Sequence, residues 1–143
     1  MKTLTDAGIK VGIGIAPVIL GYNDSDIPAL LEKARANGAT KAFINLIHFD
    51  SDSIEEYFVQ KLREKLPTQA DKIIEQQKRE RGGQLRHRTF ADRQGKTEKW
   101  EMTVKLFNLH FKRLGYEKFE KTEKTEPLTE NSPLVQPKLF DFS

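Results

Sequence analysis

Two apolar runs, separated by a segment of helical periodicity, organise the first third of the chain. Ile9 to Ile19 holds branched side chains and a single charge, and Lys41 to Phe49 is a second such run. Strands that are apolar on both faces are typical of parallel sheets. The helical periodicity between the runs is carried by Ile27, Leu30, Leu31 and Ala34. Because parallel strands need such a crossover, the pattern predicts an α/β fold built on a strand–helix–strand unit.

Capping residues and glycines predict where the helices begin and end. Met1 to Gly8 has the character of the last turns of a helix that ends at a glycine. Ser25 is expected to cap the crossover helix, Ser53 to cap the next one, and Pro67-Thr68 to begin another that runs to Gly82-Gly83. The last helix has an apolar stripe at spacings of three and four, made of Trp100, Val104, Phe107, Phe111 and Leu114.

Two strands alone do not make a stable parallel sheet, because their faces and edges stay exposed. Either partner strands come from elsewhere, or the chain is the C-terminal piece of a larger barrel. The second alternative is favoured, since no N-cap precedes the helix that ends at Gly8. We expect residues 1–115 to form this part of a barrel with a helical extension. Residues 116–143 are expected to be a disordered tail, since 117–126 is a charged, low-complexity run.

Composition narrows the functional classes. The chain has 143 residues and no cysteine, so it has no disulfide, thiolate ligand or thiol nucleophile. No apolar run reaches about 18 residues, and the N-terminus lacks the layout of a secretion signal. We therefore expect a cytoplasmic protein without a membrane partner. His48, His87 and His110 show no metal-site spacing, and no nucleophile–base pair stands out.

One stretch resembles a block of the radical S-adenosylmethionine (radical SAM) proteins. In the uncharacterised subgroup related to spore photoproduct lyase, this block is roughly AGIPVGVxxAPVIPGLNDxEIPxIL. Its counterparts here are Ala7-Gly8-Ile9-x-Val11-Gly12, then Ala16-Pro17-Val18-Ile19-x-Gly21-x-Asn23-Asp24, then Ile27-Pro28. Downstream, Arg81-Gly82-Gly83-x-Leu85 resembles the subgroup's RGGKL segment, and Phe90, Arg93 and Gly95 follow its next loop with altered spacing. The resemblance covers about residues 4–115.

The resemblance implies a partial (β/α)6 barrel of parallel strands with outer helices, in which the two strands predicted here are the last two. It also implies a 4Fe-4S cluster held by Cys-x-x-x-Cys-x-x-Cys, with SAM bound at the open iron and cleaved to a 5′-deoxyadenosyl radical. Iron–sulfur ligation needs thiolates, which this chain lacks, so we expect the chain alone to bind neither cofactor and to be inactive. Its partner would be the N-terminal half of the barrel.

The ends of the two strands are the expected cofactor site, because barrel active sites lie at the C-terminal ends of the strands. The resemblance implies that Ala16, Pro17 and Val18 contact the SAM adenosine through apolar and backbone groups. Asn23 is a further candidate, with a local turn or cap role as the favoured alternative. His48 stands where the subgroup carries an arginine, and it can donate, accept or shuttle a proton near neutral pH. A rim residue without function is the alternative for His48.

Positive charge is concentrated in the middle of the chain. The net charge is +3, but residues 61–113 hold 15 basic and 7 acidic side chains. Arginine gives two-pronged phosphate contacts, and spore photoproduct lyase acts on DNA, so the basic loop is a candidate DNA-binding site. Its candidate residues are Arg81, Arg86, Arg88 and Arg93. The alternative is a solvated connector whose arginines pair with helix carboxylates.

The C-terminal end carries a separate candidate. Gln136, Leu139 and Phe140 resemble the Gln-x-x-Leu-Phe pentapeptide that binds the bacterial sliding clamp. Leu139 and Phe140 would fill an apolar pocket while Gln136 hydrogen-bonds at its rim, and a disordered linker would let the peptide reach. The alternative is an apolar terminus that docks on its own domain.

Two hypotheses about function follow. The first is the C-terminal fragment of a radical SAM enzyme, with nucleic acid as a candidate substrate. The second is an interaction module associated with DNA repair, which binds DNA through the basic loop and a clamp through its terminal peptide. An upstream segment with the three cluster cysteines would favour the first, and a free-standing folded product that binds the clamp would favour the second.

Overall fold

The computed structural model describes residues 1–86 and 93–119. The chain is a mixed α/β protein with a two-stranded parallel sheet, which confirms the predicted strand–helix–strand unit. A continuation of this sheet into a barrel stays a prediction. The elements are α1 (Lys2–Asp6), β1 (Val11–Val18), α2 (Ile27–Ala36), β2 (Ala39–Leu46), α3 (Asp52–Lys65), α4 (Ala70–Arg79) and α5 (Glu98–Arg113).

The register of the sheet places the branched residues of β1 beside apolar residues of β2. Ile13 pairs with Ala42, and Ile15 pairs with Ile44. The ladder is irregular between Ile15 and Val18, where the Ala16–Pro17 peptide bond is cis. Beyond this irregularity the backbone N–H of Ile47 donates to the carbonyl oxygen of Val18 over 2.9 Å, so the two strands stay paired up to their carboxyl ends.

Helices α2 and α5 cover one face of this sheet. Ile15 and Ala42 contribute to a core that includes Leu31 of α2 and Trp100 and Phe107 of α5. Leu31 is fully buried, and Trp100 and Phe107 are each 7% exposed. The apolar stripe predicted for the last helix therefore packs as expected, because its spacing brings these side chains to one side of α5.

A second core lies beyond the carboxyl ends of the strands. Helices α3 and α4 bury Leu62, Ile73 and Ile74 there, around Phe49. The two cores are tied together by Gln77 of α4, which is fully buried and donates from Nε2 to the carbonyl oxygen of Leu20 over 2.9 Å. This bond satisfies a backbone acceptor that would otherwise be costly to bury.

Three predicted helix starts are corrected by the structure. Ser51, and not Ser53, caps α3, since its Oγ accepts the backbone N–H of Ile54. No side chain caps α2, which is entered from a short 3-10 turn over Asp24–Asp26 instead of through Ser25. Helix α4 begins at Ala70 and ends at Arg79, so it is shorter than the span from Pro67 to Gly83.

The described residues continue past the end of α5 to residue 119, the first four residues of the predicted tail. Tyr116 is buried and stacks on Phe111 at the end of α5. Glu117 then donates its backbone N–H to the carbonyl oxygen of Thr40 over 2.8 Å, in an isolated parallel bridge to the outer edge of β2. The rest of the predicted tail, residues 120–143, lies outside the described residues.

Candidate functional site

The face of the sheet opposite α2 and α5 is open. Gly12, Gly14 and Ala16 of β1 are exposed on it, together with Phe43 and Asn45 of β2. The glycines let aromatic rings lie directly on the sheet, since a Cβ at Gly14 would come within 2.5 Å of Phe43 Cζ. Small residues along one strand therefore leave room above the sheet that larger side chains would fill.

An aromatic pair covers the amino-terminal end of this open face. The ring of Phe119 lies over Gly12 and meets the ring of Phe43 edge-on, with centroids 5.4 Å apart and planes at 78°. Aromatic rings favour this arrangement because the positive edge of one faces the negative face of the other. The exposed residues that remain, Ala16 and Asn45, lie toward the carboxyl ends of the strands.

The turn that leaves β1 is held by two side chains. Asn23 accepts the backbone N–H of Ile19 at Oδ1 over 2.7 Å and donates from Nδ2 to the carbonyl oxygen of Pro17 over 3.1 Å. Asp24 Oδ1 accepts the N–H of Gly21 over 2.7 Å, and Gly21 has a φ of 84° that favours glycine. This geometry favours the local turn role for Asn23 over the cofactor role.

The predicted adenosine contacts occupy different environments. Ala16 and Pro17 are exposed, whereas Val18 is fully buried in the core under α2 and α5. A ligand on the open face could thus meet the side chains of Ala16 and Pro17, but only the backbone of Val18. Asn23 bonds to Ile19 and Pro17 on its own turn, whereas His48 lies at the end of β2 beside Asp50.

His48 belongs to a small charged cluster at the carboxyl end of β2. Its Nε2 lies 3.7 Å from Asp50 Oδ2, and Asp50 Oδ1 accepts a hydrogen bond from Arg93 Nη2 over 3.1 Å. The structure therefore brings together one residue predicted for the cofactor, one predicted for DNA, and a carboxylate that sequence reasoning missed. The signal was present in the chain, since Asp50 is two residues from His48.

The arginines of the basic loop make intramolecular contacts. Arg81 is 7% exposed and donates to the carbonyl oxygen of Ile47. Arg86 pairs with Asp52, as Arg93 does with Asp50. These contacts favour the alternative in which the arginines pair with carboxylates, and Arg81 would have to move to reach a phosphate. DNA binding by this loop stays a prediction, and Arg88 lies outside the described residues, as do the clamp-peptide residues Gln136, Leu139 and Phe140.

Sequence reasoning missed Glu80, the anchor of this loop. Glu80 is fully buried, and its carboxylate accepts the backbone N–H groups of Lys96 and Thr97 over 3.0 and 3.1 Å. It also accepts the hydroxyl of Thr97 and the side-chain amide of Gln76. Thr97 in turn caps α5. An acidic residue next to the end of a helix gives no sequence signal of burial, because most such residues are exposed.

Comparison of the chain with protein-family models, with curated proteins and with solved structures finds no match. In residues 1–86 and 93–119, no group of three or more His, Cys, Asp or Glu side chains is arranged to hold a metal ion. The helices of the same residues include none that is both long and apolar enough to span a membrane.

Proposed function

We propose that this chain forms the closing strand–helix–strand unit of a radical SAM barrel and supplies the wall beside the SAM adenosine. The observation that carries the proposal is the two-sided character of the sheet. One face is packed under α2 and α5, and the other is open toward the carboxyl ends of the strands, at Ala16 and Asn45, beyond the rings of Phe43 and Phe119. Parallel sheets normally bury both faces, so an open face is complete only when further strands or a ligand cover it.

The fit to adenosine rests on the carboxyl end of β1. Active sites of such barrels lie at this end of the strands. Ala16 and Pro17 are small and exposed there, which leaves a shallow apolar surface for a flat purine ring. Asn23 ties Pro17 to the following turn and so fixes the position of that surface. Val18 would contribute backbone groups, and His48 a polar side chain at the rim.

The residues of this chain do not fit a 4Fe-4S cluster, because the chain has no cysteine. In this proposal a segment outside the chain holds the cluster, and the cluster and SAM together supply radical chemistry once bound. The chain alone binds neither cofactor. Nucleic acid is the proposed substrate class, by the resemblance to the lyase subgroup.

The test begins with the DNA 5′ of the codon for Met1. A segment there that encodes Cys-x-x-x-Cys-x-x-Cys is co-expressed with this chain under anaerobic conditions, and the complex is purified and supplied with iron and sulfide. We expect the two polypeptides to copurify, to bind SAM in equilibrium dialysis and to release 5′-deoxyadenosine when a reductant is added. The absence of such a segment, or of any complex with it, would overturn the proposal.

A matched pair of variants tests the adenosine wall. Ala16→Trp places a bulky ring on the open face, and Ala29→Trp places the same ring on the exposed surface of α2. We expect the complex with Ala16→Trp to lose SAM binding and the complex with Ala29→Trp to keep it. Equal SAM binding by both variants would exclude the surface at Ala16 as the adenosine site.

A further inference from the structure

A groove runs along the outer edge of β2, between this strand and α5. Its volume is about 730 Å³, within the range of roughly 300–1,000 Å³ found for ligand sites. Phe43, Ile44 and Leu46 of β2 line one side. The other side is an apolar wall of α5 made of Trp100, Val104, Phe107 and Phe111.

The backbone of β2 presents hydrogen-bonding groups to this groove. The N–H of Ile47 points toward β1, where it bonds to Val18, while the carbonyl oxygen of Thr40 points outward to Glu117. Because alternate residues of a parallel strand point their N–H and C=O groups to opposite sides, Ile44 and Leu46 direct theirs outward. Among the described residues, no group beyond Glu117 pairs with this edge. A row of free donors and acceptors is a template for another strand.

The chain itself begins a ladder here but is poorly suited to continue it. Glu117 pairs with Lys41 in parallel, and Phe119 lies with Phe43 on the open face. Residues 120–124, which follow in the sequence, are Glu-Lys-Thr-Glu-Lys and hold no apolar side chain. Burying a carboxylate against apolar side chains is unfavourable. The groove therefore fits an extended segment with apolar side chains at alternate positions better than it fits the chain's own continuation.

The charge at the groove indicates acidic groups on the occupant. The described residues that line it include Lys112 and Lys118 but no aspartate or glutamate. Neither lysine forms an ion pair with a carboxylate in residues 1–86 or 93–119. Two such cations at the groove complement a segment that carries carboxylates near its ends.

We propose that the outer edge of β2 binds an extended segment of a second polypeptide, with apolar side chains alternating along it and acidic residues flanking them. The segment adds a strand to the sheet through the backbone of Ile44 and Leu46. Its apolar side chains pack on α5, and its carboxylates pair with Lys112 and Lys118. This inference concerns the edge of β2 and stands independently of the adenosine wall on the open face.

The probe is the acetylated, fluorescein-labelled peptide Glu-Val-Thr-Val-Thr-Val-Glu, titrated with the full chain and followed by fluorescence anisotropy. Two derivatives of the peptide are methylated on backbone nitrogens. One carries the methyl groups on the amides of the valines, and the other carries them on the amides of the threonines. In an extended peptide these amides point to opposite edges, so only one derivative loses its hydrogen bonds to β2. We expect one derivative to bind like the parent and the other at least about tenfold more weakly. Equal binding by both, or no binding by the parent peptide, would overturn the proposal.

Variants of the protein locate the site. Lys112→Glu/Lys118→Glu should weaken binding roughly tenfold, because each reversal replaces an attraction by a repulsion. Lys33→Glu/Lys72→Glu makes the same charge change on exposed sites of α2 and α4 and should leave binding unchanged. Sedimentation of the chain without peptide tests whether a second copy of the chain occupies the edge instead. The wild type and the Lys33→Glu/Lys72→Glu control could both sediment as dimers while the Lys112→Glu/Lys118→Glu variant sediments as a monomer. That result would assign the edge to a second copy and refute a separate partner.

Discussion

The phenol of Tyr116 donates a hydrogen bond to the carbonyl oxygen of Leu31 over 2.6 Å, across 85 positions of the chain. Leu31 lies in the middle of α2, and Tyr116 follows α5, so this bond fixes the end of the last helix against the crossover helix. Arg35 lies beside the ring, with its guanidinium carbon 5.7 Å from the ring centroid. The contact belongs to the covered face of the sheet and helps to hold its two helices together.

Replacing Tyr116 by Phe tests this contact through stability and through pH. Burial raises the pKa of Tyr116 above its ordinary value of 10.0, with Arg35 partly opposing the shift. The folded state therefore holds the phenol proton more tightly than the unfolded chain does. This contribution is fully present below the ordinary pKa and is lost as pH rises through the raised pKa. We expect Tyr116→Phe to cost about 1 kcal/mol at pH 7 in urea unfolding.

The matched control for this experiment is Tyr57→Phe, since Tyr57 is 62% exposed on α3. The wild type and the control should lose more stability between pH 9 and 12 than Tyr116→Phe does (limits set by a tyrosine pKa of about 10). Identical slopes for all three proteins would show that Tyr116 does not carry the pH dependence.

Glu80 should be among the costliest single positions in the loop between α4 and α5. Glu80→Gln keeps the size of the side chain but replaces an accepting oxygen by an amide that donates toward the N–H groups of Lys96 and Thr97. Hydrogen bonds to a charged group contribute about 1.5–3 kcal/mol, so we expect a loss of that order in urea unfolding. Glu75→Gln, on the exposed side of α4 with a pairing to Lys78, should change stability by less than about 0.5 kcal/mol. Similar losses of stability for both variants would contradict the role of Glu80 as the anchor of this loop.

The sequence predicts the elements of this fold better than their ends. Apolar runs and a helical stripe suffice for β1, α2, β2 and α5, because burial demands apolar side chains at fixed periods. The cap of α3 is ambiguous, since Ser51 and Ser53 have the same chemistry two residues apart. Tertiary packing decides which serine caps the helix, and the local sequence pattern does not show this packing.

The candidate site divides in the same way. The turn role of Asn23 is the favoured interpretation from local sequence, because the bonds that it makes span four and six residues. The contacts of Glu80 and Arg81 span 16 and 34 residues, and no local pattern encodes them. The burial of Val18 depends on which face of β1 meets the helices, and that is set by register with β2.

Two glycines with positive φ provide a test of how α1 packs. A side chain at Gly38 (φ 91°) would meet Thr5 of α1, with a Cβ 2.8 Å from Thr5 Oγ1, whereas Gly82 (φ 73°) has nothing within 4 Å. Both Gly→Ala changes carry the penalty of a left-handed backbone, about 1 kcal/mol. We expect Gly38→Ala to cost roughly 1–3 kcal/mol more in urea unfolding, because Thr5 must be displaced. Equal losses would show that α1 does not pack against the turn before β2.

The positive charge of the basic loop predicts DNA binding that weakens as salt rises. The ion pairs of Arg93 with Asp50 and of Arg86 with Asp52 oppose this binding, because they neutralise part of that charge. If the loop follows phosphates, the affinity of the full chain for duplex DNA falls as salt rises, and Arg86→Ala/Arg88→Ala reduces both the affinity and the salt slope. If Arg86 serves only to pair with Asp52, the same variant lowers the free energy of unfolding by less than about 1 kcal/mol and leaves any DNA binding unchanged. Asp52→Asn sharpens the distinction. It frees Arg86 from its partner and should strengthen DNA binding, whereas unchanged binding in both variants would refute the DNA interface.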